Sequence, residues 1–288
     1  MKRVRLTVGI CAALLGLALL IGMAGPISGR LPSAYAQTGR EALLASGESA
    51  TSRAAAAFQG AEPIYDALRD LVANELAESD DMDSAYDVDV ADGVLRKLEG
   101  FMKQLDDLSA SLGGLPDSLD DSEGKTVRAV KDYLSMLHNM VFDIHALVDY
   151  SMDLYAALIV IAEMDVDVET YADLAEVIYV STSEAIEILA QVKAPAYLAI
   201  SHGDLEARIK EFQEFAVDFY VATELGDPLR IYSCIYRMNR IEIMFTQCGD
   251  TLDEDIMLQF TQADRRLEGT IATLRSELLQ NLSLLGAA

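Results

Sequence analysis

The sequence predicts an all-α fold, an elongated antiparallel bundle of six or seven helices built along one helix of about forty residues, 125–164. Three observations carry this. Residues 125–164 contain neither proline nor glycine. Their apolar side chains recur every seven residues in adjacent columns. Most of the remaining segments also read as amphipathic helices, separated by Gly, Pro and capping residues. A continuous helix of forty residues would reach about 60 Å.

The columns of the long helix are Val130, Leu137, Ile144, Ser151, Leu158; then Tyr133, Met140, Leu147, Leu154, Ile161; then Leu134, Val141, Val148, Tyr155, Ala162. Three columns make a stripe wide enough for a multi-helix core rather than a two-stranded seam. Asp132, Asn139 and Asp153 fall outside it and suit water. Ser151 interrupts the first column; its hydroxyl is expected to bond back to the carbonyl four residues earlier. Residues 154–162 are all apolar but too few to cross a bilayer, so they are expected to be buried on every side.

The chain opens with Lys2, Arg3 and Arg5, an apolar run from Leu6 to Ala24, a Gly25-Pro26 break, and Ala34-Tyr35-Ala36. These are the three parts of a secretory signal, with cleavage expected near Ala36 and the product exported, periplasmic or secreted. An uncleaved anchor is the alternative, since nineteen apolar residues could just span a bilayer. Cys11 lies too early in the apolar run to accept a lipid. Residues 37–288 would then hold 18 basic and 47 acidic residues, a net charge of −29. Such a chain is repelled by nucleic acid and by anionic lipid. The acidic excess reads as solvated helix faces, or as an attraction for cations and basic partners.

Residues 37–60 read as a loosely ordered segment and 61–288 as a single bundle domain. A helix could begin near Glu48, and Pro63 suits a first helical turn, with Ile64, Leu68, Leu71, Val72 and Leu76 on its apolar face. A second helix runs from about Val90 to Leu112 and stops at Gly113-Gly114-Leu115-Pro116. After the long helix, Asp167 is placed to cap a helix reaching about Lys193. Asp204 starts the next, and Gly226-Asp227-Pro228 turns the chain. A helix from Pro228 to Gln247 carries Ile231, Ile235, Met238 and Ile241, with Gly249 closing it. Thr251-x-x-Glu254 reads as a capping box for a last helix through Ile256, Ala263, Leu267, Leu274, Leu278 and Leu285; Gly269 lies within it. Asp87-Val88-Asp89-Val90 recurs as Asp165-Val166-Asp167-Val168, which either a duplicated helical unit or chance in an Asp/Val-rich chain would produce.

No motif for nucleophilic catalysis, a phosphate loop, a di-iron carboxylate pair or His-Glu-x-x-His is present, so the chain is read as non-catalytic and without a cofactor. His138 and His145 stand seven apart, too far to share one metal directly. His145 and Asp149, one turn apart, are candidates to share a cation. Asp81, Asp83, Asp87 and Asp89 lie in an acidic stretch that could attract calcium, without EF-hand spacing; the alternative is a solvated loop. Cys234 and Cys248, fourteen residues apart on one helix, would lie ~21 Å apart and cannot pair. They are expected to be buried thiols, with inter-chain pairing as the alternative. The tyrosines and methionines beside the long helix's stripe read as core, with a ligand pocket between helices as the sharper alternative. Tyr232, Tyr236, Arg237 and Arg240 form a basic, aromatic patch: an ion-pair partner for acidic neighbours, or a contact for an anionic ligand. The leading functional expectation is an extracytoplasmic binding or scaffold module that presents helix faces to a protein partner, as a monomer or a homo-oligomer. The second is a small-ligand or cation-binding protein with a pocket between helices.

Overall fold

The structure, a computed structural model, describes residues 49–76, 88–113, 122–164 and 168–284. They are helical, with no strand among them: α1 Ala50–Asp70, α2 Val88–Ser111, α3 Ser122–Ala162, α4 Tyr171–Leu189, α5 Ala199–Glu224, α6 Pro228–Arg266 and α7 Ala272–Leu284. The signal segment, residues 37–48 and the acidic positions Asp81, Asp83 and Asp87 lie outside the described residues.

The long helix is α3, and its columns are laid out as the heptad pattern requires. Every residue of the first two columns is buried, Ser151 included, and Asp132, Asn139 and Asp153 are exposed. The Ser151 hydroxyl donates to the Leu147 carbonyl at 2.8 Å, four residues back. The end of α3 departs from expectation. Leu154, Ala157, Leu158 and Ile161 are buried, but Ala156 is exposed and Tyr155, Ile159 and Val160 are half-buried. One apolar face packs there rather than the whole circumference. Residues 124–162 are long and apolar enough to cross a membrane by length and composition alone.

Packing divides the chain into two compact units, where the sequence suggested one bundle over 61–288. Unit 1 comprises chiefly Leu147–Leu258; unit 2 comprises the described residues before Leu147, apart from Val88, and those after Leu258. In unit 1, Gln213 Nε2 donates to Ser183 Oγ at 2.8 Å, and Tyr171 meets the Phe219 ring at 5.7 Å. As one helix advances the other recedes, so α4 and α5 are antiparallel. Arg237–Asp218 at 2.6 Å and the Ser201–Asp255 hydrogen bond make α5 and α6 antiparallel by the same reasoning. Phe212, Phe215 and Phe219 stack at 5.5 to 6.1 Å within this core.

In unit 2, His138–Asp106 and His145–Glu99 set α2 antiparallel to α3. Arg53 donates to the Ser111 carbonyl, so α1 ties down the end of α2. Glu62–Arg275 and Tyr65–Leu267 lay α1 antiparallel to the C-terminal helix.

Several boundaries correct the sequence reading. Residues 50–60, expected to be loose, are helical, and Ala54, Ala55, Ala57 and Phe58 are buried. The alanine run is strong helix former and small enough for close packing. Pro63 is inside α1, not in a first turn. Gln59, whose carbonyl loses its helical donor to Pro63, is exposed, so water can take the missing bond. α4 is capped by Thr170 and Asp173 in a reciprocal capping box, three residues after Asp167, the expected cap, which lies outside the described residues. It ends at Leu189, and α5 begins at Ala199, five residues before Asp204.

The largest correction is α6. It runs unbroken through Gly249 and Thr251, the expected stop and cap. Thr251 Oγ1 instead donates back to the Gln247 carbonyl at 2.9 Å, as a threonine inside a helix does. Gly269 marks the real irregularity, a π-helical turn at Leu267–Ile271. The first copy of the Asp-Val-Asp-Val sequence runs into the first turn of α2, whereas the second ends at Val168, before the Thr170 cap.

Candidate functional site

The α5–α6 corner is set by Gly226, whose φ of +60° lies in the left-handed region. Asp227 then caps α6, its Oδ1 accepting from the backbone N–H of Leu229 and Arg230 at 3.0 and 3.3 Å. From that start α6 carries two apolar stripes. Met238, Ile241 and Phe245 are buried against unit 1. The outward stripe is Leu229, Tyr232, Tyr236 and Ile243, exposed by 81, 77, 76 and 58%. The steps of three, four and seven residues put these four on one side of the helix.

This exposure is concentrated. Among the described residues, every large apolar side chain left exposed lies in unit 1 except Phe142, Leu279 and Leu284, although the units describe similar lengths of chain. An exposed Leu alone means little; a row of aromatic and aliphatic groups on one helix face is the informative case. The sequence had singled out Tyr232, Tyr236, Arg237 and Arg240. The structure separates them. Arg237 pairs with Asp218 at 2.6 Å, which is the ion-pair alternative. Tyr232, Tyr236 and Arg240 face solvent. Leu229 and Ile243 were missed because the pattern was read for a single apolar face. The signal that could have found them is a second apolar row opposite the first.

Unit 1 also encloses a polar cluster. Tyr150, buried on α3, shares a hydrogen bond of 3.2 Å with His202 Nδ1 on α5. Burial drives the Tyr150 hydroxyl well above its ordinary range, with Cys248 adding to it, and lowers the His202 imidazole. Burial thus favours the uncharged His202 imidazole. Burial, then Asp204, push the Cys248 thiol up, so no thiolate forms there at neutral pH. Burial therefore disfavours ionisation of Tyr150, His202 and Cys248 alike. Cys234 and Cys248 are unpaired and half-buried, less enclosed than expected, and both lie on α6. Nearby on α6 the Asp253 carboxyl is pushed up to about 6, first by burial and then by Asp250 and Glu254.

Of the cation candidates, Asp81, Asp83 and Asp87 lie outside the described residues. His145 Nε2 faces Glu99 at 3.9 Å, and Asp149 is exposed beside Asp153, whose carboxyl burial and Asp149 push up. Asp89 lies in the first turn of α2. Among the described residues no three His, Cys, Asp or Glu side chains are grouped to hold a metal. Unit 2 does hold a groove of about 440 Å³ between α2 and α3, lined by Asp106, Ser109, Leu112, Lys131, Ser135 and His138. Its His138–Asp106 pair is 3.3 Å apart, and the Asp106 side chain is 72% exposed. Compared with known proteins, the chain matches no family model, no curated protein and no solved structure.

Proposed function

We propose that this is an exported, non-catalytic helical-bundle protein whose unit 1 serves as an extracytoplasmic docking module. The observation that carries the reading is the outward stripe of α6, together with the concentration of exposed apolar groups in unit 1. A solvated face has no use for two tyrosines, a leucine and an isoleucine in a row, whereas aromatic anchors beside an arginine are the composition of an interface centre. The basic start, apolar run and Ala34-Tyr35-Ala36 support export. Native mass spectrometry of the chain recovered from an exporting host tests this. We expect a mass beginning at Gln37, with no small molecule attached. A non-covalent small mass that leaves on denaturation would contradict the docking reading.

The second reading, a small-ligand or cation carrier, is favoured by the groove between α2 and α3. Its acid, ammonium and hydroxyls suit a zwitterionic or cationic molecule. The exposed Asp106 makes for weak binding, because an electrostatic contact in water is worth little.

A further inference from the structure

Taking the outward face of α6 as a docking surface, we infer that its occupant is a second copy of the same chain, with the two α6 helices crossing antiparallel about Tyr236. The stripe is nearly symmetric about that residue. Leu229 and Ile243 stand seven residues to either side, and Tyr232 and Arg240 stand four. A two-fold interface must be self-complementary. An antiparallel pair centred on Tyr236 brings Leu229 level with Ile243 of the second copy and Tyr232 level with its Arg240. It sets the two Tyr236 rings together. Apolar meets apolar, and a guanidinium meets an aromatic ring twice, a favourable pairing as it is desolvated. A parallel pair would instead stack Arg240 on Arg240.

Charge points the same way. The chain carries −25, so two copies repel almost everywhere. From Pro228 to Gln247 the charged residues are Arg230, Arg237, Arg240 and Glu242, and Arg237 is neutralised by Asp218. This near-neutral stretch lets a second copy approach at low electrostatic cost. The two tyrosines together offer roughly 300 Å² per copy, against about 800 Å² per partner in a standard interface. Leu229, Arg240, Ile243 and Leu225, the last 65% exposed at the corner, are left to supply the remainder. Cys234 shares the inward side with Met238 and Ile241, four and seven residues on, so no disulfide through it is needed.

Sedimentation velocity on the chain recovered from an exporting host tests the inference. We expect a monomer–dimer equilibrium with a Kd in the micromolar range, tightened by salt as the net repulsion is screened. Tyr236→Glu should raise Kd by at least about tenfold with the far-UV circular dichroism unchanged, because the side chain is exposed. Tyr179→Glu, at an exposed tyrosine on α4, should leave it alone. Oxidation should link Tyr236→Cys to itself, and Leu229→Cys to Ile243→Cys in a mixture far faster than Leu229→Cys to itself, with the unsubstituted chain as control. A monomer at about 100 µM, a dimer indifferent to Tyr236→Glu, or efficient Leu229→Cys self-linkage would each overturn it. Those outcomes leave the docking reading standing, since a bound small molecule, not the number of chains in the particle, is what contradicts it.

Discussion

Removing Arg275 should show how far one partly buried ion pair holds unit 2 together. Arg275, on α7, meets Glu62, on α1, through Nε at 2.8 and 2.9 Å and through Nη2 at 2.6 Å. The guanidinium also lies 5.1 Å over the Tyr65 ring, and Tyr65 donates to the Leu267 carbonyl of the π-helical turn at 3.2 Å. The pair therefore joins the first and last described helices, 213 residues apart in sequence. The side chains are only 30 and 20% exposed. Breaking a fully buried pair costs about 3–5 kcal/mol, and an exposed one about 0–1. With this exposure, and with ~0.5–1 kcal/mol for the lost ring contact, Arg275→Ala should cost about 2–3 kcal/mol. Glu62→Gln keeps an acceptor and should cost about 1–2. The chain has no tryptophan, so urea unfolding is followed by circular dichroism. The double variant should cost about 1–2 kcal/mol less than the sum of the two singles. A coupling below about 0.3 kcal/mol would refute the reasoning, because contacting charges in one network do not behave independently.

Other outcomes are expected from particular residues. Thr170→Ala should destabilise by ~1 kcal/mol by removing a working cap, while Thr251→Ala should stay within about 0.5, both read by the same unfolding curves. Gly226→Ala should cost about 1–2 kcal/mol for a left-handed side chain, and Gly226→Asn less; thermal melts would rank them. Asp253 has a folded pKa of about 6 against an ordinary 3.8, so the native state holds the proton more tightly. Its contribution is complete below pH ~4 and is lost as pH rises through about 6. Asp253→Asn should therefore stabilise the chain at pH 7.5 and change little at pH 4.

The parts of this fold that were legible in the sequence are those fixed by strong local physics. The buried columns of α3 follow from heptad spacing, and the Ser151 back-bond follows from the reach of a hydroxyl inside a helix. The turn at Gly226-Asp227-Pro228 follows from the backbone freedom of glycine. What misled was punctuation that tertiary packing overrides. Gly249 and Thr251 carry the signs of a stop and a start, yet Phe245, Leu252 and Ile256 are buried on either side, and that burial outweighs the ~1 kcal/mol that an interior glycine costs. Pro63 was misplaced for a related reason, since an exposed proline whose orphaned carbonyl meets water is tolerated inside a helix. The candidate site was half legible. Tyr232, Tyr236 and Arg240 stood out as aromatic and basic in an acidic chain. Leu229 and Ile243 belong to a second apolar row that the helix pattern contains, but which of the two rows is exposed depends on the side of α6 that the rest of unit 1 covers. Glu62 and Arg275 meet only through the fold.

The claim at the centre is that unit 1, not unit 2, is the docking surface. A photo-cross-linking amino acid placed at Tyr232 in one strain and at Phe142, the exposed aromatic of unit 2, in another tests it in the exporting cell. A discrete cross-linked polypeptide, a second copy included, is expected from position 232 and none from position 142. Equal cross-linking from both, or from position 142 alone, would contradict it.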